Sequence, residues 1–295
     1  MDLFSGTTSV LDGGLATELE RRGHDLSDEL WSARLLLDNP AEIAAAHETF
    51  FRAGAVVATT ATYQASFDGF AAHGVDRDEA ARLMRRAIDL AITARDAVAT
   101  DGLPRWVAAS AGPYGAALAD GSEYRGRYGM TVDELVDWHA PRLDVLCATD
   151  ADVLALETVP DADEAVALIR AMAGRTKPAW LTYTIDGDRT RAGQPLADAF
   201  AVVADAPEIV AVGVNCCAPG DVEHAIAVAS DVTGKPVIAY PNSGEGWVNR
   251  HWDGSSAFDA GQAARWVEAG ATAVGGCCRV TPDDIAALAQ MVGAS

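Results

Sequence analysis

Four of the five cysteines in this chain stand as two adjacent pairs. The first pair is Cys216 and Cys217, at the end of an apolar run, and the second is Cys277 and Cys278, directly after two glycines. In a reducing compartment, clustered cysteines more often bind a metal or take part in chemistry, and an odd total is a poor disulfide framework. The pairs therefore predict a functional metal site. The fifth cysteine, Cys147, is expected to be a packing residue.

The ligand type indicates which metal is bound and which reaction follows. Thiolates are soft ligands that suit Zn²⁺ over Mg²⁺ or Ca²⁺, and three thiolates with one exchangeable ligand are the pattern of a catalytic zinc site. The side chains of an adjacent pair leave the backbone differently, so all four cysteines need not bind. Zinc with three thiolates carries net negative charge, which makes it a weak activator of water but a good holder of a further, still nucleophilic thiolate. The chemistry favoured is attack by a substrate thiol on carbon.

Two other functional classes fit the sequence less well. A zinc hydrolase uses histidine and carboxylate ligands around an activated water. The histidines are scattered and none ends an apolar run; they are His24, His47, His73, His139, His224 and His251. A metal-storage protein needs more thiols and no shaped pocket, whereas Asp12 and Glu157 end two of the apolar runs here.

The elements that must position these residues recur as eight apolar runs, each followed by a helix-like segment. Continuous apolar runs suit parallel strands that are buried on both faces. The predicted strands cover 9–12, 56–60, 106–110, 153–157, 179–183, 209–215, 236–240 and 271–276. Eight strand–helix units predict an α/β fold, a single (β/α)8 TIM barrel domain over residues 1–295. The alternative is a doubly wound open sheet, which the lack of a G-x-G-x-x-G phosphate-binding motif disfavours.

Helix boundaries are marked by capping residues. Residues 131–134 have the pattern of a capping box, and residues 39–40 give an N-cap followed by a proline at the first helical position. Gly54 stands just before a predicted strand, as glycines at helix ends do. Two long loops are predicted on the side of the barrel that carries function, 14–40 and 112–130.

The ends of the predicted strands place the candidate residues in one region. Residues at the C-terminal ends of barrel strands point into the active site. Asp12 ends the first strand, Thr60 the second and Glu157 the fourth, and the two cysteine pairs end strands six and eight. Strands six and eight have one strand between them, which is close enough for shared metal coordination. The sequence therefore predicts a zinc site at the C-terminal ends of strands 6 and 8.

Charge and hydropathy exclude several kinds of partner. The 43 acidic and 22 basic residues give the chain a formal net charge of −21. Nucleic-acid binding and docking on an anionic membrane both need a basic surface, so neither is expected. The N-terminus lacks the basic start and apolar run of a signal peptide, and no apolar stretch reaches the roughly 20 residues of a membrane helix. We therefore expect a cytoplasmic enzyme that acts on small molecules.

Several segments resemble the homocysteine S-methyltransferase family, and the resemblance runs from about residue 9 to residue 292. They are DGGLATEL at 12–19, TTATYQ at 59–64, GSEYRG at 121–126, GVNC at 213–216 and GGCCR at 275–279. The resemblance implies zinc-dependent transfer of a methyl group to L-homocysteine, which forms methionine. The zinc ligands it implies are Cys216, Cys277 and Cys278. Cys217 occupies a position that is not a family ligand.

The resemblance also implies where homocysteine binds. Its amino acid group is expected to contact Asp12, Thr60 and Glu157, with Gly13 beside Asp12 included in this set. A carboxylate at the mouth of the barrel suits an α-ammonium group on physical grounds as well. The acceptor is homocysteine or, as an alternative within the family, selenocysteine or another thiol or selenol.

The methyl donor is indicated by a further segment, YPNSGE at 240–245, which is similar to the branch of the family that uses S-methylmethionine. This places Asn242 among the substrate contacts, with S-adenosylmethionine as a slower donor. A sulfonium or ammonium donor needs an anionic or aromatic wall. The aromatic candidates are Tyr63, Tyr124, Tyr128 and Trp247. Betaine is a less favoured donor, because Gln64 stands where betaine-using relatives place an aromatic residue.

Overall fold

The computed structural model describes residues 2–4, 6–26, 31–99, 102–248 and 251–293. Its centre is an eight-stranded parallel sheet, and each strand overlaps one of the eight predicted runs. The strands are β1 Ser9–Val10, β2 Val57–Thr59, β3 Trp106–Ala111, β4 Val153–Val159, β5 Ala179–Tyr183, β6 Ile209–Asn215, β7 Val237–Tyr240 and β8 Ala271–Val274.

The sheet closes on itself. Hydrogen-bonded neighbours follow the order β1-β8-β7-β6-β5-β4-β3-β2, and a parallel bridge between Leu11 and Val57 joins the two ends. The backbone N–H of Val56 donates to Val10 O at 2.8 Å across this seam. The fold is therefore a (β/α)8 TIM barrel as predicted, and the open-sheet alternative is wrong. Strands β6 and β8 flank β7, so the two cysteine pairs come to the same side of the barrel.

Helices surround the barrel. In the described part of the chain they are α1 Leu15–Arg21, α2 Trp31–Asp38, α3 Pro40–Arg52, α4 Phe67–Ala72, α5 Arg77–Ala97, α6 Tyr114–Leu118, α7 Val132–Cys147, α8 Ala162–Met172, α9 Leu196–Ala204, α10 Val222–Thr233, α11 Ala260–Glu268 and α12 Pro282–Gly293. Short antiparallel hairpins pair Ile185–Asp186 with Arg189–Thr190 and Gly246–Val248 with His251–Asp253. None of the described helices is long and apolar enough to cross a membrane.

The capping signals explain where helices begin and end. Thr131 Oγ1 accepts from the Glu134 N–H at 3.3 Å, and Glu134 Oε2 accepts from the Thr131 N–H at 2.7 Å, so α7 begins with the predicted capping box. Asn39 precedes Pro40 as predicted but makes no side-chain cap. Gly54 has a φ of 107°, a left-handed conformation that lets the chain turn from α3 into the next strand.

The two predicted loops contain helices that the sequence pattern did not reveal. The segment 14–40 holds α1 and α2, and the segment 112–130 holds α6 and a 3-10 turn, Ser122–Tyr124. Helices this short are marginal alone and form through tertiary packing. In α1, for example, Leu19 is completely buried.

The end of the barrel opposite the cysteines is closed. The 3-10 turn Asp2–Phe4 buries Leu3, and Ser9 Oγ donates to Leu3 O at 2.6 Å. The Phe4 ring contacts the edge of Trp180, which fills the barrel interior, with ring centroids 6.4 Å apart. Access to the interior is therefore from the C-terminal ends of the strands, which we call the mouth.

Candidate active site

The three cysteines predicted as ligands lie together at the mouth. Cys216 follows the last residue of β6, and Cys277 and Cys278 follow β8 after two glycines. Their three Sγ atoms all lie within 4.8 Å of one another. Three sulfurs at this spacing could hold one metal ion, and the all-thiolate donor set suits zinc.

Two of these cysteines are joined. Cys216 and Cys277 form a disulfide with their Cα atoms 5.6 Å apart, while Cys278 keeps a free thiol. This differs from the expectation that the cysteines form no disulfide. The physical reason is proximity, because two thiols placed closely enough to share an ion need only a small side-chain movement to form a disulfide. Metal ligation by all three residues requires this pair to be reduced.

Left-handed backbone conformations of non-glycine residues are concentrated at the mouth. Cys216 has a φ of 48°, Thr158 at the end of β4 has 60°, and Arg279 beside Cys278 has 67°. Residues other than glycine rarely adopt this backbone conformation, and it recurs at functional sites, where the surrounding structure holds it in place. The strand ends at this site are therefore held by the surrounding structure and not by their own preference.

The loop after β7 holds the loop that carries Cys277 and Cys278. Asn242 Oδ1 accepts from the Cys278 N–H at 3.2 Å, and the Asn242 N–H donates to Cys217 O at 3.0 Å. Ser243 N–H donates to Cys278 O at 3.0 Å. In this structure the Asn242 side chain orients a ligand loop, while its predicted contact with substrate stays a prediction.

Glycines allow the end of β1 to pack against the same loop. A Cβ on Gly14 would lie 2.7 Å from Cys277 O, and one on Gly13 would lie 2.6 Å from Val280 O. Real Cβ atoms do not approach so closely, so a larger residue at either position would push the cysteine loop away. Gly13 therefore has a packing role here, and its predicted contact with homocysteine stays a prediction.

The two remaining cysteines lie outside the cluster. Cys217 is buried in the apolar core, and this burial raises the pKa of its thiol to about 12. Cys147 ends α7 and is half-buried against the core. By contrast, Cys278 in the cluster has a pKa raised to about 11, mainly by burial, with the Tyr124 hydroxyl beside it lowering it.

Asp12 lies at the end of β1 and is almost completely buried. Its carboxylate accepts from the Thr59 N–H at 2.7 Å and from Thr59 Oγ1 at 2.9 Å. Burial raises the pKa of Asp12 to about 8, and the nearby charge of Glu157 adds to this, against the hydrogen bonds from Thr59. A nearby cation would therefore stabilise the ionised form of Asp12. Part of its hydrogen-bonding capacity is already used to tie β1 to β2.

Glu157 lies near Asp12 at the end of β4. Ser110 Oγ donates to Glu157 Oε1, and the Tyr240 hydroxyl also contacts this carboxyl group. Burial raises the pKa of Glu157 to about 7. Two buried carboxyl groups whose pKa values are raised form an acidic pair that an ammonium group would stabilise in the ionised form.

Thr60 is buried beside this pair and serves the barrel itself. Its Oγ1 lies 2.8 Å from Thr62 Oγ1 and accepts from the Ser110 N–H at 3.2 Å. Its side chain thereby ties the end of β2 to β3. The predicted contact between Thr60 and substrate stays a prediction.

A hydrogen-bond network under the site was not predicted. The Tyr240 hydroxyl lies 2.9 Å from Thr182 Oγ1, which donates to Asn215 Oδ1 at 2.8 Å. Asn215 Nδ2 in turn donates to Thr158 Oγ1 at 2.8 Å. The network links the strand ends that carry Glu157 and Cys216. Alternating polar residues at the ends of these strands were the sequence signal for this network. The alternation covers too few residues to predict it.

The aromatic residues predicted to contact the methyl donor have different surroundings. Tyr63 packs on Gly112, where a Cβ would lie 2.6 Å from its ring, and Tyr124 lies beside Cys278. Tyr128 contacts Tyr114 with ring centroids 5.2 Å apart, so it packs within the loop. The side chain of Trp247 lies outside the described part of the structure. Sequence reasoning also did not single out Glu123, whose charge acts on both Tyr63 and Tyr124.

The chain is similar to known proteins in both sequence and fold. The family model for homocysteine S-methyltransferase matches residues 9–292. Homocysteine S-methyltransferase YbgG of Bacillus subtilis is 42% identical, covering 95% of this chain and 93% of that protein. Selenocysteine Se-methyltransferase of Brassica oleracea is 38% identical, covering 96% and 88%.

A solved structure agrees with this. The homocysteine methyltransferase MmuM from Escherichia coli in its metallated form matches with a TM-score of 0.88 and 40% identity, covering 97% of this chain and 96% of that one. The oxidised form of the same enzyme matches with a TM-score of 0.87.

Proposed function

Because this chain belongs to the homocysteine S-methyltransferase family, we propose that it transfers a methyl group from S-methylmethionine to the sulfur of L-homocysteine at a zinc site. Methyl transfer to homocysteine is the activity of the family. Beyond this activity, we propose which metal is bound, which methyl donor is used and which residues hold each substrate.

The observation that carries the proposal is the position of three cysteine sulfurs beside two buried carboxyl groups. The Sγ atoms of Cys216, Cys277 and Cys278 lie within 4.8 Å of one another, and Asp12 and Glu157 stand at the same mouth. A metal held by the sulfur cluster suits a thiol, and the pair of carboxyl groups suits an α-ammonium group. Homocysteine carries both on one short chain.

The reduced thiols would hold zinc, which when bound keeps a substrate thiol in its nucleophilic thiolate form. The remaining work falls to residues of this chain. Asn242 orients the backbone of Cys278. Asp12 and Glu157 accept the ammonium group and so hold the acceptor at its other end. Holding both ends aligns the sulfur for in-line attack on the methyl carbon, and this alignment supplies much of the rate acceleration.

The donor is argued from charge and size. S-methylmethionine and S-adenosylmethionine are sulfonium cations, whose methyl group must approach the acceptor sulfur. Tyr63 and Tyr124 offer aromatic faces to such a cation. The adenosyl group is far bulkier than a methyl group, so we expect S-adenosylmethionine to react more slowly. Betaine is expected to fail, because Gln64 replaces the aromatic residue of betaine-using relatives.

The test is a donor comparison with reduced, zinc-loaded protein at saturating homocysteine. We expect kcat/KM to be highest with S-methylmethionine, lower with S-adenosylmethionine and negligible with betaine. A preference for betaine over both sulfonium donors would contradict the donor assignment. Absence of methionine formation with every donor would contradict the proposed function.

A second acceptor is supported by the 38% identity to a selenocysteine Se-methyltransferase. The same site could take a selenolate, which is a softer nucleophile than a thiolate. A selenol also loses its proton more readily than a thiol does. Competition between homocysteine and selenocysteine for a limiting donor, with both products quantified by mass spectrometry, measures the preference directly. A majority of methylated selenocysteine at equal concentrations would reverse the order proposed here.

A further inference from the structure

A rigid turn in the loop after β3 positions Glu123 at the mouth. In the turn Ser122–Tyr124, Asp120 Oδ1 accepts from the Ser122 N–H at 2.9 Å, and the Gly126 N–H donates to Ser122 O at 2.9 Å. Gly115 packs directly on the backbone nitrogen of Glu123, with no space for a Cβ. The backbone of Glu123 is therefore held by contacts on both sides of it.

One oxygen of the Glu123 carboxyl group is shielded from water, and the described residues supply no counter-ion to it. Its Oε2 atom is buried and accepts no hydrogen bond from any described residue. Among the residues that the structure describes, no arginine, lysine or histidine pairs with it. Burial raises its pKa, the hydrogen bond from its own backbone N–H opposes this, and repulsion from Asp120 adds to the rise. Leaving a carboxyl group in this condition is costly, so a cation supplied by a ligand would satisfy it.

The neighbours of Glu123 indicate which cation that is. Its charge raises the pKa of Tyr63, Tyr124 and Cys278, so the carboxyl group lies within electrostatic reach of all three. Cys278 belongs to the sulfur cluster that would hold the acceptor. The carboxyl group and the two aromatic rings thus form an anionic and aromatic wall beside the place where the methyl group must pass.

We propose that Glu123 is the counter-charge of the sulfonium group of the methyl donor and makes the donor site selective for cationic over neutral ligands. This rests on the methyl transfer proposed above. The sulfonium is the cation that has to approach the acceptor sulfur, because it carries the methyl group. The α-ammonium group of either amino acid lies at the other end of its carbon chain.

The charge balance of the transfer defines what Glu123 does. The acceptor thiolate forms a bond to the methyl carbon, the bond from that carbon to the sulfonium sulfur breaks, and its electron pair stays on the donor sulfur as a neutral thioether. The positive charge beside Glu123 therefore declines toward the transition state. An interaction that weakens along the reaction lowers KM and does not raise kcat, so its loss should raise KM and leave kcat unchanged or slightly higher. Glu123 is therefore a specificity residue for binding.

The test replaces Glu123 with its neutral isostere, Glu123→Gln. We expect KM for S-methylmethionine to rise about tenfold to a hundredfold, as for loss of one charge-assisted contact, while kcat changes by less than about threefold. KM for homocysteine and zinc content should stay as in the parent. The control is Asp188→Asn, which removes a carboxylate that is 71% exposed at the same end of the barrel, and it should match the parent in every measurement.

A binding measurement separates this proposal from the activity. Calorimetry on the zinc-loaded protein compares S-methylmethionine with 2-amino-5-methylhexanoate, the carbon isostere that lacks the sulfonium charge. The parent should bind the sulfonium more tightly, and Glu123→Gln should remove most of that preference. A variant that keeps the parental preference and KM overturns the role of Glu123 and leaves the methyl transfer standing. A parent that transfers no methyl group but shows the charge preference overturns the proposed function alone.

Discussion

The two sides of the mouth are built in different ways. On the thiol side, the sheet itself places the ligands, because the Cys216 N–H donates to Tyr240 O at 3.3 Å and the Cys277 N–H to Pro241 O at 2.8 Å. On the side proposed to hold the methyl donor, which we call the donor side, Glu123 and Tyr124 lie in the segment 112–130, outside the sheet. The first arrangement extends the strand ladder of the barrel, whereas the second depends on contacts from other elements.

A buried polar cluster from α7 and α8 supplies those contacts. Arg142 donates to Gly112 O, and its Nη2 lies 2.9 Å from His139 Nδ1. His139 Nε2 lies 3.0 Å from Glu164 Oε1, which also accepts from the Tyr114 N–H at 2.6 Å. Burial, with the charge of Arg142, lowers the pKa of His139 to about 4, so this ring is neutral near pH 7 and can accept from Arg142 while donating to Glu164.

Because different elements hold the metal ligands and the segment 112–130, substitutions should affect the two independently. Strand ends remain in place while the barrel is closed. In the segment 112–130, Arg142 and Glu164 hold the backbone at Gly112 and Tyr114. Variants on the thiol side should therefore lower zinc content, and variants on the donor side should raise KM for the donor. Neither kind of variant should produce the other effect.

The largest effect is expected from the thiol side. Cys277→Ala or Cys278→Ala should lose most bound zinc and lower activity by more than about a hundredfold, the upper range for residues that merely support a ligand. The matched controls are Cys217→Ala and Cys147→Ala, whose sulfurs lie outside the cluster, and both should keep zinc and activity. Zinc is measured by mass spectrometry on reduced protein. Full zinc retention after loss of Cys278 would contradict the ligand assignment.

The second prediction concerns the donor side. Arg142→Met leaves Glu164 buried without its cation, and breaking a buried charged cluster costs about 3–5 kcal/mol of folding free energy. KM for the donor should rise while zinc content per folded chain stays near the parent's. Arg170→Met is the control, since its pair with Asp133 is exposed and such pairs contribute at most about 1 kcal/mol. Denaturant unfolding and metal analysis check both, and zinc loss in Arg142→Met would show that the two sides are coupled.

The same contrast decides what could be predicted from the sequence. The thiol side was predictable, because an apolar run ending in cysteine gives both the strand and the face of its last residues. The polar cluster was not, since Arg142 and Glu164 are single charged residues within helical patterns and such residues usually face solvent. Glu123 stands in a motif that resembles the family, yet its direction depends on contacts with Gly115 that no local pattern encodes.

A third prediction tests the acceptor end of the thiol side. Glu157→Gln and Asp12→Asn should each raise KM for homocysteine by about tenfold to a hundredfold, because a charge-assisted contact to an ammonium group contributes about 1.5–3 kcal/mol. Zinc content should not change, since neither group belongs to the sulfur cluster. Steady-state kinetics at saturating donor give KM for homocysteine. If both variants bind homocysteine as tightly as the parent, the ammonium group lies elsewhere.

The smallest effect is a change of stability with pH. Burial raises the pKa of Glu157 to about 7 from an ordinary value of 4.5, so the folded protein resists its ionisation. The stability that the neutral carboxyl group provides is fully present below about pH 4.5 and is lost as pH rises through 7. Glu157→Gln mimics the neutral form at every pH and should gain stability relative to the parent between pH 5 and pH 8, by about 2 kcal/mol. Glu268→Gln, an exposed carboxyl group at the end of α11, should show no such trend. Urea unfolding of the three proteins at several pH values measures the difference, and a constant gap between Glu157→Gln and the parent would mean that Glu157 is already ionised in the folded protein.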